Sequence, residues 1–221
     1  MTQEVFTART RVKMCGFTQA KDIQAAVAAG ADALGFVFYP QSKRYVSVAQ
    51  AAELAAAIPA FVQSVALFVN AAPALVQQVL LHMQPSLVQF HGEESPAYCQ
   101  AFNHPYIRAF RVGAPHLDTA AKLLAECRRY PQAKAWLFDS YTAGYGGSGI
   151  SFNMDLLAEI CAQRQSHEPP IVLAGGIDQQ NVHQRLAQIQ PYAIDISSAI
   201  EKAPGIKCAT KMQQFMQLIH G

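Results

Sequence analysis

Hydrophobic positions along the chain follow two periods, and the two alternate eight times: short, nearly continuous apolar runs rich in β-branched or aromatic residues, then longer Ala/Leu/Gln stretches at helical spacing. The short runs are RVKMCG (11–16), ADALGFVF (31–38), QSVALFVN (63–70), SLVQFHG (86–92), YIRAFRV (106–112), AWLFDS (135–140), PIVLAGG (170–176) and YAIDISS (192–198). Helices are predicted near 18–29, 48–57, 73–83, 95–102, 115–129, 154–164, 179–189 and 207–220, several opening on a start signal such as Thr18, Pro73 or Ser95. Strands that are apolar throughout, each followed by a helix, predict a parallel sheet covered on its outer face, because parallel neighbours need crossover connections. Eight such units predict an α/β chain folded as a single (β/α)8 TIM barrel over 1–221, with 1–10 as a loosely ordered N-terminal extension. An open, doubly wound sheet is the alternative, but it would leave edge strands among runs that are uniformly apolar.

Composition narrows the function. Apolar residues make up 51% and charged residues 14% of the 221, which excludes a disordered or polyelectrolyte chain. The formal charge is +2 with the basic residues scattered, giving no footprint for nucleic acid or an acidic membrane, so a small-molecule partner is expected. Neither a membrane-length apolar stretch nor the apolar core of a signal peptide occurs, and the expected location is cytoplasmic. The five cysteines are odd in number, widely spaced and without a C-x-x-C pair, so neither a disulfide framework nor a zinc site is indicated.

In a barrel of this kind the chemistry sits where strands end and the following loops begin. Cys15 ends the first run, Arg44 lies in the loop after the second, His91 ends the fourth, Asp139 the sixth, Gly175 and Gly176 the seventh, and Ser197 and Ser198 the eighth. The glycine pair and the hydroxyl pair fall at the two adjacent loops that commonly hold a phosphate through backbone N–H groups. Taken singly, each pair is equally well a turn or a helix cap. Cys15 shares a face with Lys13 by alternation and points towards the barrel axis, where a thiol can act as nucleophile or base; a cysteine there can also be a small buried hydrophobe. Asp139 follows four apolar residues, so its carboxyl is expected to be desolvated and to keep a proton, the property of a general acid, or else to cap the next loop. Strand alternation also points Lys13 and Asp195 into the barrel on strands that become neighbours on closure, which predicts a buried ion pair. Of the cations in YPQSKRYVS, Arg44 is chosen over Lys43 because a guanidinium pairs bidentately with a carboxylate. His91 is either a satisfied core histidine or an orienting group. The glycines of GYGGSG, Gly147 among them, suit a loop that closes over substrate. No H-x-x-x-H or carboxylate cluster of metal type occurs, so no metal is expected.

Several motifs then recur in order: VKMCGFT, GADALGFVFYPQSKRYVS, VQFHGEE, LFDSYTAGYGGSG, and LAGGIDQQNV followed by DISSAIEKAPGIK. Together, over 12–215, they resemble the phosphoribosylanthranilate isomerase family of tryptophan biosynthesis. The resemblance implies a (β/α)8 barrel and a cofactor-free Amadori rearrangement of N-(5-phosphoribosyl)anthranilate to 1-(2-carboxyphenylamino)-1-deoxyribulose 5-phosphate. It implies Cys15 as general base, Asp139 as general acid, Arg44 at the anthranilate carboxylate, and the last two loops on the phosphate. The chain departs from the family pattern at Met14, Ser148, Asn153-Met154 and Ala199. None of these removes a reacting group, although Ala199 stands where a glycine usually follows the two serines. Another phosphosugar barrel would need lysine and glutamates, or paired aspartates and metal-binding histidines, at strand ends. A non-catalytic phosphate-binding barrel would have no reason to keep both Cys15 and Asp139. A monomer is expected.

Overall fold

The structure, a computed structural model, describes residues 9–141 and 153–220. Eight parallel strands, β1 (Arg11–Cys15), β2 (Ala33–Val37), β3 (Gln63–Phe68), β4 (Leu87–Phe90), β5 (Tyr106–Val112), β6 (Ala135–Ser140), β7 (Ile171–Leu173) and β8 (Ala193–Ile196), close into a barrel in sequence order. The helices α1 (Ala20–Ala29), α2 (Val48–Ala55), α3 (Pro73–His82), α4 (Pro96–Gln100), α5 (Ala120–Cys127), α6 (Met154–Gln163), α7 (Val182–Ile189) and α8 (Ala209–His220) alternate with them. The expected closed barrel is therefore the observed one. Of the proposed N-terminal extension, 1–8 lies outside the described residues, while Arg9 is tied to the barrel rim by a hydrogen bond from its guanidinium to Asp32 (2.9 Å).

Period two explains why the strands are apolar on both faces. On β6, Trp136 and Phe138 pack outwards under the helices, while Ala135 and Leu137 point inwards against Ile107, Ala109 and Val172. Outward phenylalanines from neighbouring strands meet ring to ring, as Phe38 and Phe68 do at 5.2 Å and Phe110 and Phe138 at 5.8 Å. Much of the core thus lies between barrel and helices, which leaves the inside of the wall available for polar groups near the mouth.

The helix boundaries differ from the sequence reading where a side chain found another partner. Thr18 does not cap α1: its hydroxyl donates to the Gly205 carbonyl (2.6 Å), and Gln19 takes the cap position without a side-chain bond. The stretch from 115 is a turn, with Gly113 at φ +90°, and α5 begins only after Thr119 accepts from the Lys122 N–H. The segment after β8, up to the helix predicted from 207, is given no element by period. It forms a 3₁₀ turn (Ser198–Ile200) and an antiparallel hairpin of β9 (Glu201–Ala203) and β10 (Ile206–Lys207), turned at Pro204-Gly205 with Gly205 at φ +81°.

Barrel closure pairs β1 with β8 and sets Lys13 opposite Asp195. The ammonium lies 2.6 Å from Oδ2, both side chains are buried, and the expected pair is present. Burial pulls the Lys13 ammonium down, but Asp195 and then Cys15 beside it hold it above the ordinary lysine value. Lys13→Met is expected to cost the fold about 3–5 kcal/mol, because Asp195 is left buried without its cation. In that variant burial pushes Asp195 up unopposed, so the folded state binds its proton more tightly than the unfolded one. The deficit should shrink as pH falls through that raised pKa. Denaturant melts at several pH values would show it; a loss below about 1 kcal/mol, the surface-pair range, would mean that the pair is not effectively buried.

Candidate active site

Cys15 ends β1 with its thiol buried at the barrel mouth. It fits because β2 presents Gly35 there: a Cβ at that position would stand 2.6 Å from Sγ. Lys13 lies two residues below on the same face of β1, close enough for its charge to act on the sulfur. Burial pushes the Cys15 thiol above its ordinary value, and Lys13 and Lys207 only partly counter it. The ion pair below the thiol therefore moderates the cost of a thiolate without making it the resting form.

Asp139 comes up on β6, almost across the ring from β1. Its surroundings differ from the desolvated pocket that the preceding apolar run suggested. Those apolar residues alternate between the outer core and the barrel interior, and the carboxyl itself remains 20% exposed. Oδ1 accepts the N–H of Ser140 (2.8 Å) and Oδ2 lies 3.1 Å from Nε2 of His91. The His91 ring thus lies between Asp139 and Gln89, whose side-chain amide is 3.0 Å from its Nδ1.

Gly175 and Gly176 adopt left-handed backbone (φ +75° and +60°). A Cβ on Gly175 would stand 2.8 Å from Oδ1 of Asp139, so this glycine makes room for the carboxyl as well as opening the loop. The loop is pinned by Asn181, which donates to the Gly176 carbonyl (2.8 Å), and by Arg185, which donates to that of Gly175 (2.9 Å). Just after β8 the Ser197 hydroxyl donates to the Cys15 carbonyl (2.9 Å) and so is committed within the protein. Ser198 is exposed at the start of the 3₁₀ turn. Gly147 and the rest of GYGGSG lie outside the described residues.

Arg44 is half-buried at the mouth while Lys43 is exposed. Its stem lies on Gly16, but its fork is already engaged: Nε and Nη2 donate to Glu201 at 2.8 and 2.7 Å. The same carboxylate takes the buried Lys207 ammonium (2.9 Å), which also donates to the Cys15 carbonyl. Burial pushes the Glu201 carboxyl up, but Arg44 and Lys207 more than offset it and leave it below the ordinary glutamate value. Glu201 and Lys207 were missed in the sequence because they lie on the unforeseen hairpin; the Pro-Gly pair of KAPGIK was the available signal.

A strand-end thiol beside a lysine, a carboxyl held by a histidine on the facing wall, and a glycine turn next to a 3₁₀ turn can together bind a phosphosugar and move protons at two of its atoms. Comparison with known proteins agrees with that architecture. The profile of the family described as N-(5'phosphoribosyl)anthranilate (PRA) isomerase matches residues 12–218. The chain belongs to the phosphoribosylanthranilate isomerase family. It is 56% identical over 211 residues to the N-(5'-phosphoribosyl)anthranilate isomerase of Bordetella pertussis, covering 96% of each chain. Among solved structures it is similar to the phosphoribosyl anthranilate isomerase of Thermotoga maritima, at 34% identity and TM-score 0.83, covering 95% of this chain and 98% of that one. A further phosphoribosyl anthranilate isomerase structure, at 31% identity and TM-score 0.79 with the same coverage, is a complex with reduced 1-(o-carboxyphenylamino)-1-deoxyribulose 5-phosphate. Among the described residues, no helix is long and apolar enough to cross a membrane.

Proposed function

We infer that the chain is an isomerase of tryptophan biosynthesis that converts N-(5-phosphoribosyl)anthranilate to 1-(2-carboxyphenylamino)-1-deoxyribulose 5-phosphate. The observation that carries this reading is the placement of Cys15 and Asp139 on facing walls of one barrel mouth, within a chain matched to the isomerase family over nearly its whole length. Asp139 gives its proton to the ring oxygen as the C1–O bond breaks, and the aniline nitrogen supplies the electron pair that forms the Schiff base. Cys15, as thiolate, takes the C2 proton to give an enolamine, which tautomerises to the ketone. His91 orients Asp139 through Oδ2. Glu201 holds Arg44 by Nε and Nη2, and the remaining Nη1 is the group assigned to the anthranilate carboxylate. The phosphate is assigned to the backbone N–H groups of Gly175, Gly176, Ser197 and Ser198, with Gly147 in the loop that closes over it. The substrate supplies its own electron sink, so the scheme calls for no cofactor.

The protein is read as cytoplasmic and as a monomer. Its exposed large apolar side chains, Phe61, Leu81, Tyr192 and Ile206 among them, belong to different elements of the fold. A Thermotoga maritima relative, described as dimeric with monomers generated from it, makes light scattering the direct check. For the activity, a bacterial strain lacking its isomerase is expected to grow without tryptophan when it expresses this chain. Continued auxotrophy with soluble protein in the cell would refute the assignment.

A further inference from the structure

Register around the ring sets Asp195 of β8 in one interior layer with Gly35 of β2, Gln89 of β4 and Leu137 of β6, directly beneath the layer that holds Cys15. That layer offers Asp195 no cation of its own. Gly35 has no side chain, Leu137 is apolar, and the Gln89 amide lies 3.0 Å from Nδ1 of His91. Oδ2 takes the Lys13 ammonium at 2.6 Å, and Oδ1 is buried with no hydrogen bond among the described residues. The carboxylate therefore relies on Lys13 for its compensation. Lys13 in turn faces two acids, Asp195 in the ion pair and Cys15 above it. One buried cation balances one anion, and a second anion beside it would stand uncompensated away from water, which is costly. Burial pushes the Cys15 thiol up, Lys13 pulls it down, and Asp195 opposes Lys13. The other cations acting on Cys15 are Lys207 on β10 and Arg44 in the loop after β2, and both are held by Glu201. Asp139 on β6 and His91 after β4 act on Asp195 from nearer the mouth.

We propose that Asp195 is a positioning residue for the base: by occupying the Lys13 ammonium it keeps Cys15 a neutral thiol at rest, and it leaves the thiolate, once formed, unquenched and able to take the C2 proton. This rests on the reading of Cys15 as the general base. A thiolate that had the buried ammonium to itself would form readily but would be a stabilised, weakly basic anion. With the ammonium spent on Asp195, ionisation is harder and the anion that results is the stronger base, so proton abstraction gains driving force. The protons balance without a further group. The thiol gives its proton to solvent water, the C2–H bond of the substrate breaks, and that proton ends on Sγ while its electron pair forms the C1–C2 double bond of the enolamine. Lys13 and Asp195 keep their charges throughout.

The test is a titration of the Cys15 thiol by ultraviolet thiolate absorbance, each protein read against its own C15S twin so that the four other cysteines cancel. The wild-type thiol should titrate above the ordinary value of 9.0. In D195N, which keeps the shape of the side chain, the midpoint should fall by about one pH unit or more, the size of effect a neighbouring charge exerts. The ascending limb of kcat/KM should move to lower pH with it and level off at a lower plateau, because the thiolate held by Lys13 is the weaker base. K13M should move the midpoint upwards, and these opposite shifts are not what a loss of packing produces. A D195N midpoint that stays in place or rises would overturn the proposal. Carbon NMR of the Asp195 carboxyl in the wild type decides the matter even if D195N does not fold: its signal should show an inflection at the Cys15 midpoint that is absent in C15S, and no such inflection would overturn the proposal. C15S also separates the two layers. If C15S turns over normally while D195N still lowers the midpoint, the base assignment fails and the charge arrangement stands; if C15S is inactive and D195N leaves the midpoint in place, only the role of Asp195 falls.

Discussion

Cys15→Ser is expected to reduce kcat by about 10³-fold or more while KM changes little, because the hydroxyl keeps the shape of the site but is a far weaker base than a thiolate. The thiol is seated for proton abstraction: it lies at a strand end, Gly35 on β2 leaves it room, and Lys13 stands beneath it. Its environment also sets the sign of the pH dependence. Burial raises its pKa above the ordinary value of 9.0 despite the lysines, so the thiolate is gained only as pH rises past the usual thiol range. The ascending limb of kcat/KM, which reports the free enzyme, should therefore be displaced to alkaline pH and be absent in the serine variant. A serine enzyme with wild-type turnover would reduce Cys15 to packing.

Asp139→Asn should lower the rate on the order of 10²–10⁴-fold, the contribution typical of a positioned general acid. Asparagine can still accept from the Ser140 N–H through its one carbonyl oxygen, so the position of the side chain is largely preserved while the transferable proton is lost. The loss should appear in kcat and kcat/KM alike, as expected for an interaction made only in the transition state. An effect confined to KM would assign Asp139 to binding.

What could be read from the chain and what could not divide along the range of the forces involved. Alternation is local, so it aimed Cys15, Lys13 and Asp195 correctly, and ring closure made the Lys13 and Asp195 partners across 182 positions once eight units were counted. The same logic found the glycine and hydroxyl pairs at adjacent strand ends. The return path of a loop is another matter. The hairpin after β8 brings Lys207 to the Cys15 carbonyl and Glu201 to Arg44, and no periodicity in the chain foreshadows either contact. Ser197 was legible as a hydroxyl at the right strand end but not as one committed to the backbone of Cys15, because a carbonyl 182 positions away competes with any ligand. The apolar run before Asp139 misled for a related reason: in a strand those residues face two separate cores, and the carboxyl meets the Ser140 N–H and His91, just past β4.

The decisive measurement follows the fluorescence of N-(5-phosphoribosyl)anthranilate on addition of the purified chain, alongside its Cys15→Ser and Asp139→Asn variants. The wild-type protein should consume the signal at a rate proportional to enzyme, with the carboxyphenylamino-deoxyribulose phosphate as product, and each variant should leave it almost unchanged. A folded wild-type chain that left the fluorescence intact, or variants that consumed it as fast as the wild type, would contradict the account.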